Sequence, residues 1–516
     1  MLLSVGFTRE RSGLHTRVTI SIPQIPDAPK LGCPRRVHEG RMPSTSPVGP
    51  INDLPDDLLT CIFDQVLKII PTPGGPASRR NAEWQRFMGY PILVSHVCSR
   101  WRRIMIYSST FWCRIYIYPQ LFNRPKCVTL LETYLNRAGQ NLLDILIFDS
   151  PHSSHPNIVD WVFNDLFLTF LGTTVPRAKY LTLKSENGLF TPGHPRSTLA
   201  VCLLKCTPGT LEELTVDVAT DDYPVSQAAD MSLDLPRRTL EELWRSTPIM
   251  RFNGYYPYAI NTSDFGASRG LTELRLKGWH PITETTLIGI LTASPQLRVV
   301  EVSMDIIGSL TKGAPIEPIY LEHLEIVKSG ILNRPLTHQR QLRILLRLLK
   351  PGSKPLGLCI SNPNQSSDPT FVCQPEVRAF LARSNIQKLC VHDLERRSHL
   401  VELLKLAPSV RALAIPALRS LEPDVGALPT EPSLDALYVI PSFLSLRPGS
   451  VPSPSSNWPT VEWLAETYHF KELTLWTQDF EFGYSREQLI PENLHTICSL
   501  VNVMAWEAPN PVQEWC

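Results

Sequence analysis

Apolar residues recur along most of this chain in one frame: a first apolar position, a second three residues on, and a third two residues further. The clear copies are Leu211-Leu214-Val216, Leu271-Leu274-Leu276, Leu297-Val300-Val302 and Leu321-Leu324-Ile326, then Ile386-Leu389-Val391, Val410-Leu413-Ile415, Leu434-Leu437-Val439 and Phe470-Leu473-Leu475. Weaker copies stand at Leu142-Asp144-Leu146 and in Tyr180-Leu181-Thr182-Leu183. The last two positions of each copy are two apart, so they share one face of a short strand. Helix-like apolar runs lie between copies, Thr286 to Leu291 ahead of Pro295 and Leu400 to Leu404 ahead of Pro408. The predicted unit is strand, turn, helix, turn.

Successive copies start at 271, 297 and 321, and again at 386, 410 and 434, steps of 24 to 26 residues. That is the period of leucine-rich repeats, about 20–29 residues. One such unit cannot bury its own apolar face, so neighbours stack. The expected fold class is an α/β repeat: over residues 119–500, an irregular leucine-rich-repeat solenoid of strand-helix units, with a parallel sheet on the concave side. The longer gaps, 216 to 271 and 326 to 386, read as insertions or degenerate repeats. Gly254 to Tyr258 and the Pro/Ser-rich stretch Arg447 to Pro459 read as surface loops. Beyond Pro491 the frame fades, leaving 501–516 as a cap or tail. Glu212, Thr215, Thr272 and Arg275 are candidate partner-facing positions on the strands. Arg340, Arg343, Arg347 and Lys350 fall on one helical face opposite Leu342, Leu345, Leu346 and Leu349, which reads as the wet side of an outer helix.

A different period governs residues 51–118. Pro55 suits a first helical position, Asp56 and Asp57 favour the first turn, and apolar residues follow at 58, 59, 62, 63, 66 and 67. Pro71, Pro73, Gly74 and Gly75 end that helix. The stripe resumes at Leu93, Val97, Trp101, Ile104 and Met105, and Phe111-Trp112 close the unit ahead of the strand-like Arg114 to Tyr118. Between the two blocks, residues 68–92 form a loop insert. Residues 1–50 carry several prolines and little apolar periodicity, so they read as a disordered leader. Periodicity alone allows the helical unit to be a self-packed cap or a docking surface.

Leu54-Pro55, Leu58-Leu59, Ile62-Phe63, then Leu93, Val97-Cys98, Trp101-Arg102 and Trp112 resemble the F-box motif. The run Val97 to Ile104 is similar to the F-box-like proteins of mushroom-forming fungi, and the likeness covers about 60 residues. The resemblance implies a short all-helical domain that binds a Skp-type adaptor and, through it, a cullin-RING ubiquitin ligase. It makes Leu54, Pro55, Leu58, Leu59, Ile62, Leu93, Val97 and Trp101 the adaptor-binding or supporting positions. The array would then hold an unknown protein substrate. The alternative is a leucine-rich-repeat scaffold acting outside any ligase.

Composition narrows the rest. Net charge is +1, from 50 basic and 49 acidic residues, so no bulk field argues for nucleic acid or an anionic membrane. No apolar run reaches the ~18 residues of a membrane span. The 12 cysteines are scattered, and Cys202 with Cys206 lacks a partner pair or histidine, so buried free thiols in a cytoplasmic or nuclear protein are expected and no metal set is read. Gly266 to Gly270 spells G-x-S-x-G around Ser268, but a strand follows it where the nucleophile elbow needs a helix. His152 and His155 read as a solvated turn. No catalytic residue and no cofactor is expected.

Overall fold

The structure, a computed structural model, describes residues 4–8, 17–21, 50–69, 91–119, 122, 124–149, 165–185, 194–218, 235–254, 267–278, 281–308, 317–329, 335–361, 374–392, 397–416, 434–440, 458–468, 470–477, 498–505, 512 and 515. Most of the 68–92 insert, both candidate loops apart from Gly254, Trp458 and Pro459, and His152 and His155 lie outside these residues. Two compact units divide the chain, residues 1–59 and 60–516. In the first, β1 (Ser4–Thr8) pairs antiparallel with β2 (Arg17–Ser21). The helix Asp56–Ile69 begins in the first unit with two acidic residues in its first turn, where the helix dipole favours them.

The second unit is mixed α/β. Its strands are β3 (Arg114–Ile117), β4 (Leu143–Asp149), β5 (Ala178–Ser185), β6 (Glu213–Val218), β7 (Ile249–Asn253), β8 (Glu273–Lys277), β9 (Ile282–Thr283) and β10 (Val299–Ser303). They continue with β11 (Ile306–Ile307), β12 (Ile319–Leu321), β13 (Ile326–Ser329), β14 (Leu349–Pro351), β15 (Leu356–Ser361) and β16 (Ile386–His392). The last are β17 (Ala412–Pro416), β18 (Ala436–Ile440), β19 (Glu472–Thr477) and β20 (Leu500–Ala505). Among the described residues, fourteen of these form one sheet in chain order, and every pairing in it is parallel. The short strands β9 with β11, and β12 with β14, make two further parallel pairs. Parallel neighbours need a crossover. Helices such as Pro125–Ala138, Arg237–Ser246, Glu284–Thr292 and Arg397–Leu406 provide it. An unbroken parallel order of this kind is compatible with a repeat solenoid.

The register explains why the apolar frame recurs. One column runs across the sheet as Ile115, Ile145, Leu181, Leu214, Met250, Leu274 and Val300. It continues as Val327, Leu358, Leu389, Leu413, Leu437, Leu473 and Val501. A second column two residues on includes Val216, Phe252, Leu276, Ile360, Val391 and Leu475. These side chains face the helices: Trp244 of Arg237–Ser246 stands edge-on to Phe252 at 6.1 Å, and both are fully buried. Each fully buried aliphatic side chain is worth roughly 1.5–3 kcal/mol against exposure, so the column is the spine of the core.

Several expectations shift here. The copy read as Leu321-Leu324-Ile326 is instead Leu324-Val327-Ser329, because Val327 pairs with Val300 while Leu321 pairs with Pro351 in the β12–β14 ladder. Apolar residues at 321, 324 and 327 fit the frame twice, so sequence spacing could not choose. The weak copy at Leu142-Asp144-Leu146 is displaced by one residue: Ile145 and Ile147 are buried in the core columns, and Leu142 is 43% exposed. A one-residue slip turns every side chain over. The gaps 216–271 and 326–386 each hold a full strand of the sheet, β7 and β15, and the sheet continues past Pro491 into β20. The strand-like stretch after Phe111-Trp112 is β3, the sheet's first strand.

The basic helix face is corrected as well. In the helix Pro335–Leu348, Arg343 makes a two-point pair with Glu376 (2.9 and 3.0 Å) and Arg347 pairs with Glu284. Glu376 and Glu284 belong to the two flanking helices, so these arginines tie adjacent crossovers together and are not simply a wet face. Lys350 lies past the helix end, in β14, above the Tyr320 ring at 6.0 Å.

Candidate functional site

The helical block of the second unit comprises a helical turn at 91–95, the helix Ser99–Tyr107 and a 3-10 turn at Ser109–Trp112. Cys98 caps the helix, its Sγ accepting from the Trp101 amide at 3.4 Å, and Arg102 Nε donates to the Ser95 carbonyl at 3.1 Å. These local bonds fix the angle between the turn and the helix. Inside, Phe63 meets Trp101 edge-on at 4.7 Å and Phe111 at 6.3 Å. Trp112 is fully buried, donates Nε1–H to the Met105 carbonyl at 2.7 Å, packs against Tyr134 at 5.0 Å and lies 4.2 Å beneath the Arg137 guanidinium. Tyr134 and Arg137 sit on the sheet's first crossover helix, so Trp112 is the anchor between helical block and sheet.

The eight positions drawn from the sequence divide by exposure. In the first unit Pro55 and Leu58 are exposed, Leu54 is half-buried and Leu59 is buried. In the second, Leu93 (56% exposed) and Val97 (61%) stand in solvent, while Ile62 and Trp101 are half-buried. Ile106 and Tyr107 add two exposed apolar side chains to this block that sequence reasoning did not single out. Their signal was position: both lie on the helix face opposite Ile104 and Met105.

The sheet's other face, away from the helices, has two distinct parts. Over β6 to β13 it carries an alternating ladder of charge. Arg251 pairs with Glu213 and Glu273, Arg275 with Glu273 and Glu301, and Lys277 with Glu301 at 2.7 Å. Burial raises the Glu273 carboxyl, but Arg251 and Arg275 outweigh it and hold the group below the usual carboxylate range. Lys328, next along the ladder, is pushed down by burial, with Glu301 opposing. Thr215 and Arg275 lie on this face as expected, whereas Glu212 and Thr272 precede the strands and Glu213 and Glu273 take the inner positions. Because Glu273 is depressed, its contribution to stability is complete above the unfolded value of about 4.3 and is lost as pH falls through the folded value. We expect Glu273→Gln to flatten the loss of stability on acidification below about pH 4.3, read by denaturant unfolding across a pH series.

From β15 to β18 the same face is apolar and covered. Cys359, Cys390, Ala414 and Ile440 form a buried cluster with Val512 and Trp515, and Ile326, Ala412 and Tyr438 pack around it. Tyr438 meets the Trp515 ring at 6.0 Å, and the Lys388 ammonium stands 5.9 Å from it. Gly357 makes the close approach possible: a Cβ there would lie 3.1 Å from Trp515 Cβ. Gly357→Val should therefore destabilise this covering by about 1–3 kcal/mol through overpacking, seen as faster hydrogen exchange of the Trp515 amide, which bonds the Val512 carbonyl at 3.0 Å.

Cys359, Cys390 and His392 also meet on this face, with their ligand atoms all within 4.8 Å of one another. Sequence reasoning missed them because Cys359 and Cys390 are one strand apart in space but distant in sequence; only Cys390-x-His392 was a local signal. Cys202 and Cys206 are buried free thiols as expected, burial driving Cys206 up to about 12. Ser268 is buried with its Oγ 3.8 Å from the Met250 sulfur. Among the described residues no helix is long and apolar enough to cross a membrane. No family model matches the chain, and no curated protein matches it.

Proposed function

We propose that this chain is a non-catalytic substrate receptor of a Skp-cullin-F-box ubiquitin ligase, working in the cytoplasm or nucleus. Its F-box-like helical block docks on a Skp-type adaptor, and leucine-rich repeats hold the protein to be ubiquitinated. One observation carries the reading. At positions that resemble the F-box motif, Leu93 and Val97 are exposed while Phe63 and Trp112 are spent inside. Apolar side chains left in solvent on a block whose core is already filled mark a protein-binding surface. The charged ladder over β6 to β13 is the target-facing surface in this scheme, since its half-buried guanidinium and carboxylate groups favour a partner of matching charge pattern. Neither nucleic acid nor membrane is required.

The test is reconstitution. The full chain, mixed with a Skp-type adaptor and a cullin, should co-elute with both on size exclusion. Elution of the chain apart from the adaptor would overturn the ligase reading. It would favour the second one, a leucine-rich-repeat scaffold outside any ligase, for which the charged face alone suffices. Removal of residues 70–90 should leave co-elution intact.

A further inference from the structure

We propose that Cys359, Cys390 and His392 bind one zinc ion on the covered part of the sheet. The proposal goes beyond the receptor reading and stands or falls separately from it. Parallel pairing of β15 with β16 sets Cys359 directly opposite Cys390. Alternation along a strand then returns His392, two residues on, to the same face. Cys390 Sγ lies 3.3 Å from His392 Nε2, and all three ligand atoms fall within 4.8 Å of one another. A tetrahedral zinc with Zn–S about 2.3 Å and Zn–N about 2.0–2.1 Å holds its sulfurs about 3.8 Å apart and sulfur from nitrogen about 3.5 Å. The three groups are therefore near ligand separation on a rigid support, two neighbouring strands in fixed register.

Charge and burial point to the same ion. The three residues are 5%, 0% and 9% exposed, and Cys359 and Cys390 lie in the cluster with Val512 and Trp515. Binding displaces one proton from each thiol to solvent. Two thiolates, a neutral imidazole and Zn2+ then sum to zero charge, which an apolar cluster tolerates. A monovalent soft cation would leave one buried negative charge. The other buried thiol pair, Cys202 and Cys206, is joined by no third ligand among the described residues. It provides an internal control.

Full-length protein, produced with zinc supplied and freed of loose metal, should contain about one zinc per chain by elemental analysis. Cys359→Ser and Cys390→Ser should each bring zinc to background, whereas Cys206→Ser should retain it. Cobalt(II) exchanged into the wild type should give thiolate-to-metal charge transfer and the visible bands of a tetrahedral site, with a water in the fourth position. Hydrogen exchange over β15 and β16, followed in each serine variant, shows whether the strands have formed, so that a serine variant that fails to fold does not decide the matter. Wild-type protein without zinc, copper in its place, or zinc retained after Cys359→Ser with Cys390→Ser would overturn the proposal.

Discussion

Replacing Trp112 with alanine should uncouple the helical block from the sheet and cost about 3–5 kcal/mol. The indole fills the space between Met105, Tyr134 and Arg137 and is fully buried. Alanine removes that volume, the guanidinium-ring contact and the indole N–H donated to the Met105 carbonyl. Relaxation is limited because Tyr134 is held in a helix and Met105 is itself completely buried. A chain of this length does not unfold as a single two-state unit, so the loss belongs to the local opening of the block. Hydrogen exchange should show the amides of Ser99–Tyr107 losing protection by roughly two to three orders of magnitude, with the strands β16 to β18 little changed. Tyr107→Ser, at an 83% exposed position, should stay within about 0.5 kcal/mol of wild type. Unchanged protection in Trp112→Ala would show that the block is held by other contacts.

Much of the sheet was legible in the chain because a strand buried on one face advertises itself by spacing. Leu274-Leu276, Val300-Val302, Leu389-Val391, Leu413-Ile415, Leu437-Val439 and Leu473-Leu475 all occupy the helix-backed columns where the frame put them. The frame failed where chemistry allowed two registers, as at 321–327, or where the first apolar position was missing. Strand β7 reads Ile249-Met250-Arg251-Phe252-Asn253, and no leucine stands three residues before Met250; Thr247 is there instead, buried and bonded to the Leu243 carbonyl at 2.9 Å. A hydroxyl satisfied by a helix end does the work of the expected leucine, and no apolar count would have found it.

The pairing of charges was illegible for a different reason. Arg343 with Glu376, Arg347 with Glu284, and Arg251 with Glu213 and Glu273 join residues 22 to 63 apart in sequence. Partners on adjacent strand-helix units are set by the register of the sheet, which spacing within one unit does not encode. The same holds for Cys359 opposite Cys390. It explains why a chain with near-zero net charge shows no electrostatic signature in its composition while carrying a dense ladder on one face. The rungs are largely buried, their side chains 5% to 41% exposed, so the attraction within each pair is set against the cost of taking both charges out of water.

On the proposed receptor reading, charge at Leu93 and Val97 should weaken adaptor binding without harming the fold. We expect Leu93→Asp with Val97→Asp to weaken affinity about a thousandfold, taking about 2 kcal/mol for each truncated central apolar contact and 1.4 kcal/mol per decade. Both side chains are more than half exposed, so the free chain should lose within about 0.5 kcal/mol per site. The comparison with Trp101→Ala is what makes the result interpretable. Trp101 packs edge-on against Phe63 at 4.7 Å, so its loss weakens the block and the docking surface together. Calorimetric titration of a Skp-type adaptor into each protein separates the two cases, provided hydrogen exchange over Ser99–Tyr107 is followed alongside. Loss of binding with unchanged exchange in the double aspartate variant supports docking through Leu93 and Val97. Retained binding there would mean that their exposure serves no adaptor, and the array would have to be sought in complexes outside the ligase.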